Sequence, residues 1–355
     1  MVTTAARKLP APAFYKAKNA EDWNYDPNLG VLAGEAEAWA RKHNVKASGT
    51  EKAKIHMLLI DAQKDFCFPQ GSLFVAGRKG DGAIEDSKRT AEFIYHNLSV
   101  LTDITCTLDT HLPYQIFYPS FWHDKDGNPL TPFREITAEQ VKAGEVKPNP
   151  AVAPLVCGGD YGWLMSYVRH YCETLEKTGK YKLFLWPYHC ILGSQGHVLV
   201  GVIEEARMFH AWVRKSANVP EVKGGHPLTE NYSVFSPEVR TRHDGKPLGA
   251  QANTALIKKL VENDAVVIAG QAASHCVKAS IEDFLGAISA QDPKLCKKVY
   301  ILKDCMSAVT IPNGKGGFIA DYTDEANKAL KMFEDAGMHV VESTTPIEDW
   351  DGINL

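Results

Sequence analysis

Cys276 follows the segment Gly270-Gln271-Ala272-Ala273-Ser274-His275 and opens a helical pattern. A thiol at a helix N-terminus sits where the macrodipole favours thiolate. The N–H groups of Cys276 and of Ala272 or Ala273 offer an oxyanion hole for a tetrahedral intermediate. The same position equally suits a small buried cysteine at the start of a packed helix. Asp61 ends the apolar run Ile-His-Met-Leu-Leu-Ile at 55–60. A carboxylate there is costly to bury unpaired. It could serve as general base to a thiol and then as acid to a leaving amine, or cap the turn Gln63-Lys64-Asp65. Asp109 and His111 stand two apart at a strand end, so they share a face. With His189 they form an O/N/N donor set with open positions, suited to Zn, Fe or Mn. Each of these histidines also reads as a satisfied structural residue. Lys223 follows Val219-Pro220-Glu221-Val222. Beside a thiol and a carboxylate it would favour both charged forms; taken alone it is a solvated surface lysine.

Such residues need a frame. IHMLLI (55–60) and AVVIAG (265–270) read as fully buried parallel strands. DITCTLD (103–109), KLFLW (182–186), KVYILK (298–303) and HVVEST (339–344) are the other strand candidates. Helical patterns cover 31–43, 83–97, 161–177, 202–216, 251–262, 275–289 and 323–336. Strands alternating with helices of this length predict an α/β fold with three layers, helix–sheet–helix, around a mostly parallel central sheet. Sheets of this kind carry their sites at the carboxyl ends of the strands. Asp61, Asp109, His111 and Cys276 all follow strands.

The chain has 355 residues, 45% hydrophobic and 23% charged, with a formal charge of −4. It lacks the basic excess of a nucleic-acid or polybasic membrane binder. No apolar run approaches the roughly 20 residues that span a bilayer, and the first residues lack the apolar stretch of a secretory signal. The eight cysteines contain no C-x-x-C pair, which fits a reducing cytoplasm and buried thiols. Residues 1–50 read as an N-terminal extension, and 51–355 as a single catalytic domain with an insertion at about 113–180. A second insertion-like loop, 305–322, holds Asn313-Gly314-Lys315-Gly316-Gly317. It lacks the G-x-x-x-x-G-K-[ST] spacing of a phosphate loop.

Taken in order, these pieces resemble the isochorismatase-like cysteine hydrolases, and within them the nicotinamidases. The matching residues are Asp61-Ala62-Gln63-Lys64-Asp65-Phe66 after an apolar strand, Asp109-Thr110-His111, Trp186-Pro187-Tyr188-His189-Cys190 followed by Gly193 and Gly196, Lys223, and Gly270 through Cys276-Val277. The resemblance covers roughly 55–112 and 181–345.

The resemblance implies a triad of Asp61, Lys223 and Cys276. It also implies one divalent metal on Asp109, His111 and His189, completed by waters, with the substrate's pyridine nitrogen on the metal. Phe66 and Trp186 match positions that flank the ring. Backbone N–H groups of Ala272 and Cys276 would hold the oxyanion, after a cis peptide at Gln271–Ala272. The expected reaction is hydrolysis of a small amide, nicotinamide foremost, through a thioester on Cys276. Where many nicotinamidases place another His, this chain has Gln115 and Phe117, leaving three protein ligands or a contribution from His123. A ureido or carbamoyl substrate, or a non-catalytic binding protein on the same fold, is the alternative. A homo-oligomer is also expected from the family, and the insertion is expected at the pocket mouth or a subunit contact.

Overall fold

The computed structural model describes residues 8–178 and 181–355. The first seven residues of the expected extension and the last two of the expected insertion lie outside the described residues. Strands β1 (Ile55–Ile60), β2 (Leu101–Asp109), β3 (Glu221–Lys223), β4 (Ala265–Gly270), β5 (Val299–Leu302) and β6 (His339–Val341) form one sheet in the order β6-β5-β4-β1-β2-β3. Every neighbouring pair in it is parallel.

Alternation along these strands separates two cores. Ile55, Met57 and Leu59 of β1 join Val267 of β4 and Leu302 of β5 on one face, packed on α2 (Gly82–His96) and α4 (Gly201–Arg214). Leu58, Ile60, Val266, Ile268 and Ile301 point the other way, onto α5 (Thr254–Val261), α6 (Cys276–Gln291) and α7 (Thr323–Asp335). Side chains of period two on a sheet covered on both sides produce these uninterrupted apolar runs. The three-layer α/β/α architecture is therefore present.

The chain leaves β1 toward β2 and β3, then returns to the other side of β1 as β4. The strand order thus reverses between β1 and β4, and in open α/β sheets a crevice opens at such a point beyond the carboxyl ends of the strands. In register, Ile60 pairs with Gly270 and Asp109 with Lys223. The residues just after Ile60 and Gly270 are therefore neighbours, and Lys223 lies directly beside Asp109.

Two expectations about strands are corrected. Residues 183–185 are extended, but pair antiparallel with Arg134–Ile136 in a separate two-stranded ribbon. The sixth central strand is instead Glu221–Lys223, whose Val222 is exposed at the sheet edge. Three residues, one of them outward-facing, give no readable period. The 305–322 loop also contains an antiparallel hairpin, Thr310–Pro312 with Phe318–Asp321, which turns through the glycine run.

Helix α1 (Leu29–Lys42) buries Leu32 and Ala36 and packs over α4. The 113–180 segment builds a third core of its own around Phe121, Trp122 and helix α3 (Tyr161–Thr178), whose Leu164, Val168 and Leu175 are buried. Among the described residues no helix is long and apolar enough to cross a membrane. All eight cysteines are unpaired.

Candidate active site

Asp61, at the end of β1, is fully buried and has a positive φ of 46°. Its amide donates to Thr107 Oγ1 at 3.0 Å, and the same hydroxyl donates back to Asp61 Oδ1. Its Oδ2 lies 2.9 Å from Lys223 Nζ. Lys223 also reaches Asp109 Oδ1 at 2.9 Å, the carbonyl of Asn231 at 2.9 Å and Cys276 Sγ at 3.6 Å. One ammonium thus links two buried carboxylates and a thiol, all drawn from the carboxyl ends of β1, β2 and β3 and the start of α6.

Burial raises the Asp61 carboxyl above its ordinary value, and Asp109 adds to the rise, against the pull of Lys223. Burial works against the Lys223 ammonium, but the carboxylates of Asp109 and Asp61 outweigh it and hold the pKa well above normal. The Cys276 thiol is pushed well up, first by burial and then by the negative charges of Asp61 and Asp109 and hydrogen bonding to Asp61, with Lys223 opposing. Desolvation between two carboxylates thus opposes the preference for thiolate that a helix N-terminus and Lys223 provide.

The motif Asp61-x-Gln63-x-Asp65-Phe66 divides its work. Gln63 clamps the β2 end, with Nε2 donating to the carbonyl of Asp109 and Oε1 accepting from its amide, both at 2.8 Å. Asp65 Oδ2 accepts from Cys190 N at 2.7 Å and fixes the turn that carries His189. Tyr118 holds that turn from the other side, its hydroxyl donating to the carbonyl of His189 at 2.7 Å. Phe66 lies with its ring centroid 5.5 Å from that of His189.

Asp109, His111 and His189 are buried, with ligand atoms within 4.8 Å of one another. Their donor chemistry fits a cation. His111 Nδ1 faces the carbonyl of Gly224 at 3.2 Å, and His189 Nδ1 that of Pro187 at 2.7 Å. A carbonyl only accepts, so both Nδ1 atoms carry the proton and both Nε2 atoms present lone pairs. Those Nε2 atoms lie 2.8 and 3.6 Å from Asp109 Oδ2. Three acceptors converging on one point repel unless a positive charge stands among them, and carbonyls behind the imidazoles are the usual outer support of a metal ligand. Gly224 makes room for the set: a Cβ on it would fall 2.7 Å from His111 Cε1 and 2.8 Å from Asp109 Oδ1. Gln115 is not part of it and instead donates to the carbonyls of Gly224 and His226. His123 lies on the strand Trp122–Asp124, outside this cluster.

The Gln271–Ala272 peptide is cis. Ala273 N donates to the carbonyl of Ser307 at 2.8 Å, whereas the amides of Ala272 and Cys276 have no acceptor among the described residues. The Ala272 and Cys276 amides are therefore unengaged, whereas that of Ala273 is occupied.

Cys276, Ala272, Asp109, His111 and His189 border one pocket that opens to solvent, with Asp61 and Lys223 buried behind the Cys276 thiol. Its walls are apolar and aromatic: Phe66, Leu73, Val75, Phe117, Trp186, Tyr232 and Val309. Apolar and aromatic walls with a few convergent polar groups are the usual lining of a small-molecule site.

The likeness to known structures follows this geometry. The chain shares its fold with a yeast nicotinamidase. That structure, bound to the inhibitor nicotinaldehyde, superposes with a TM-score of 0.50 at 19% identity, over 81% of this chain and 99% of the nicotinamidase. A nicotinamidase/pyrazinamidase of Acinetobacter baumanii matches at 17% identity, 83% and 98% coverage and TM-score 0.46. A pyrazinamidase of Pyrococcus horikoshii in complex with zinc matches at 19%, 81% and 98%, with TM-score 0.43. No family model and no curated relative matches the chain.

Among the described residues, 123–178 contribute no side chain to the pocket lining; Phe117 is the part of the expected insertion that does. The segment acts one layer out. Tyr167 donates to the carbonyl of Leu228 at 2.8 Å, and Tyr171 accepts from Glu230 N at 3.1 Å. Both brace the loop that carries Glu230, Asn231 and Tyr232. Those three residues line the pocket and escaped the reading of residues alone. They sit in an irregular loop after a three-residue strand that carries no readable period.

Proposed function

We propose that the protein is a metal-dependent cysteine amidohydrolase that cleaves a small ring amide, nicotinamide in the first instance, to the carboxylic acid and ammonia. The observation that carries this reading is the convergence of Asp61 and Lys223 on Cys276, which lines an aromatic pocket beside the Asp109–His111–His189 donor set. The fold shared with a nicotinamidase supports it.

As the Cys276 sulfur bonds to the amide carbon, its proton passes to Asp61, whose raised pKa suits an acceptor that must later give the proton back. The charge that develops on the carbonyl oxygen is held by the N–H groups of Ala272 and Cys276. Lys223 stays an ammonium throughout and offsets the charge on Asp61, Asp109 and the sulfur. Collapse breaks the C–N bond while Asp61 protonates the leaving nitrogen, which departs as ammonia. Water then adds to the thioester, giving its proton to Asp61. When the C–S bond breaks, Asp61 returns that proton to Cys276 and the acid is released. Phe66 and Trp186, both in the pocket wall, would flank the ring of the bound amide. A divalent ion such as zinc on Asp109, His111 and His189 would supply an electrophilic anchor for a ring nitrogen.

The test is ammonia release from nicotinamide, pyrazinamide, aliphatic amides and ureido compounds, by the wild-type protein and by Cys276→Ala. Turnover of a pyridine amide, lost by at least about 10⁴-fold in the variant while its circular dichroism is unchanged, is the expected result. Turnover retained in Cys276→Ala overturns the mechanism, and activity confined to ureido compounds overturns the substrate.

A further inference from the structure

Asp86 and Gln271 take no part in the chemistry above, yet each is polar and only 2% exposed. Asp86 stands early in α2. Its Oδ2 accepts from Gln271 Nε2 at 2.9 Å, and its Oδ1 from Arg89 Nη2 at 2.8 Å. The other end of the Gln271 side chain, Oε1, accepts from Ser307 N at 3.3 Å. Burial raises the Asp86 carboxyl, and its bonds to Ser307, Gln271 and Arg89 oppose the rise. A carboxylate paired with a guanidinium only accepts, and a backbone N–H only donates, so the Gln271 amide has one orientation and is held at both ends. Buried polar groups of this kind are costly unless their bonds are made; once made, directed bonds fix an orientation that apolar packing does not. Gln271 immediately precedes Ala272, whose N–H is one of the two unengaged amides and which borders the catalytic pocket. That N–H belongs to the peptide joining Gln271 to Ala272, so its direction is set from both sides of that bond. On one side Gln271 N donates to the carbonyl of Ile60 at 2.7 Å, and its side chain is pinned to Asp86. On the other, the Ala272 carbonyl accepts from His275 N at 3.0 Å and from Val277 N at 3.1 Å. Ser307 serves the turn a second time, its carbonyl accepting from Ala273 N at 2.8 Å, and Arg89 donates to the carbonyl of Asp304 in the same loop. Helix α2, the 304–307 loop and the turn before Cys276 thus meet at Asp86.

We propose that Asp86 is a positioning residue for the reaction: braced by Arg89, it fixes Gln271 and so aims the Ala272 N–H at the oxyanion. This deepens the amide-hydrolase reading and rests on it for turnover. Charge gathers on the carbonyl oxygen only as the sulfur bonds to the carbon, so a misaimed donor weakens the transition state and leaves binding of the intact amide alone. The loss therefore belongs to kcat and not to KM.

The test compares the metal-replete wild type with Asp86→Asn, Gln271→Met and the double variant Asp86→Asn/Gln271→Glu, each checked by circular dichroism and thermal melting. In Asp86→Asn one donor must face another, and Gln271→Met removes both side-chain bonds. The double variant reverses the bond between the two positions, from an amide at 86 to a carboxylate at 271, while Arg89 and Ser307 N keep their acceptors. One readout is kcat and KM for the amide turned over. The other is the affinity for nicotinaldehyde, measured by calorimetry. In that adduct the Cys276 sulfur bonds to the aldehyde carbon, the C=O electron pair moves to oxygen, and the thiol proton reaches that oxygen by way of Asp61. The oxygen then occupies the oxyanion position without any C–N bond being broken. The expected result is that kcat falls about 10–100-fold in each single variant, with KM within about twofold of wild type. Aldehyde affinity should fall in proportion to kcat, and the double variant should recover most of both. If Gln271→Met does not fold, the comparison of Asp86→Asn with the double variant carries the test. The proposal is overturned if kcat and aldehyde affinity are unchanged in the single variants, if the amide's KM rises by as much as kcat falls, or if the double variant recovers neither. Aldehyde affinity lost and recovered in this way, without turnover of any amide, would sustain this inference and overturn the proposed reaction. Amide turnover indifferent to these variants would do the reverse. A wild-type protein that neither turns over an amide nor takes the aldehyde overturns both.

Discussion

Glu230 carries a consequence for stability that is independent of catalysis. Its carboxyl titrates at the ordinary 4.5 when exposed in the unfolded chain and at about 8 in the fold. Between those values the unfolded chain has lost the proton and the folded one keeps it, so the unfolded state binds fewer protons and stability falls as pH rises. The loss is about 1.4 kcal/mol per pH unit across the window. Glu230→Gln removes the titration. Its stability relative to wild type should therefore climb from pH 4.5 to about 8 and level off above. Urea denaturation of both proteins at pH 5, 7 and 9 checks this; a difference that stays constant over that range would mean the carboxyl ionises normally in the fold. Asp61 shows the same direction for the same first cause, burial, but its ammonium partner returns part of the cost, and it is the member of the set whose proton must move.

At the scale of elements, the buried strands were legible because their physics is repetitive. Six consecutive buried residues in β1, and six in β4, write an uninterrupted apolar run, and the polar residues just beyond, Asp61 and the 271–276 turn, announce themselves by contrast. Asp109, His111, His189, Lys223 and Cys276 were likewise found by position after a strand or by motif, and the fold brings them together. What escaped depends on pairing that no local pattern records. Leu183–Leu185 reads as a core strand yet joins a ribbon with Arg134–Ile136, while Glu221–Lys223 is too short to read and still completes the sheet. The insertion was expected at the pocket mouth or a subunit contact; Phe117 lines the pocket, and other residues of it act through backbone supports such as Tyr118, whose hydroxyl also accepts from the amide of His189 at 3.3 Å. Tyr118→Phe keeps the ring and removes both bonds. The turn bearing His189 should loosen, and metal affinity should fall about 10–100-fold, the usual effect of losing such a support. Metal retained during titration with a chelator measures it. Undiminished affinity would show that Asp65 alone fixes the turn.

At the scale of the whole molecule, the described part of the N-terminal segment, residues 8–45, covers one face without bordering the pocket. Leu9 N donates to the carbonyl of His96, and His96 Nδ1 faces the carbonyl of Leu9. Phe14 packs edge-on against Phe209 with centroids 5.0 Å apart, and Trp39 does so at 5.6 Å. Tyr25 donates to the buried carboxylate of Glu205, which also accepts from Tyr95 at 2.8 Å. Deleting residues 1–45 would uncover Phe209 and Tyr95 and strip Glu205 of a donor. At about 1.5–3 kcal/mol for each large apolar side chain returned to water, the loss is several kcal/mol from a total of roughly 5–15. The truncated protein should melt well below the full chain and bind more of a hydrophobic dye. Its kcat/KM at low temperature should nevertheless match the full chain, because no residue of 8–45 borders the catalytic pocket. Trp23 links the segment toward that pocket: Lys64, on the short helix Lys64–Cys67 that carries Phe66, donates to the Trp23 carbonyl at 2.7 Å, and the Trp23 indole bonds Gln195 and packs on Phe68. That helix is held independently through Gln63 and Asp65, so its position should survive the deletion. A folded truncation with impaired turnover would instead assign the segment a part in orienting Phe66, and Lys64→Met in the full chain would then reproduce the defect.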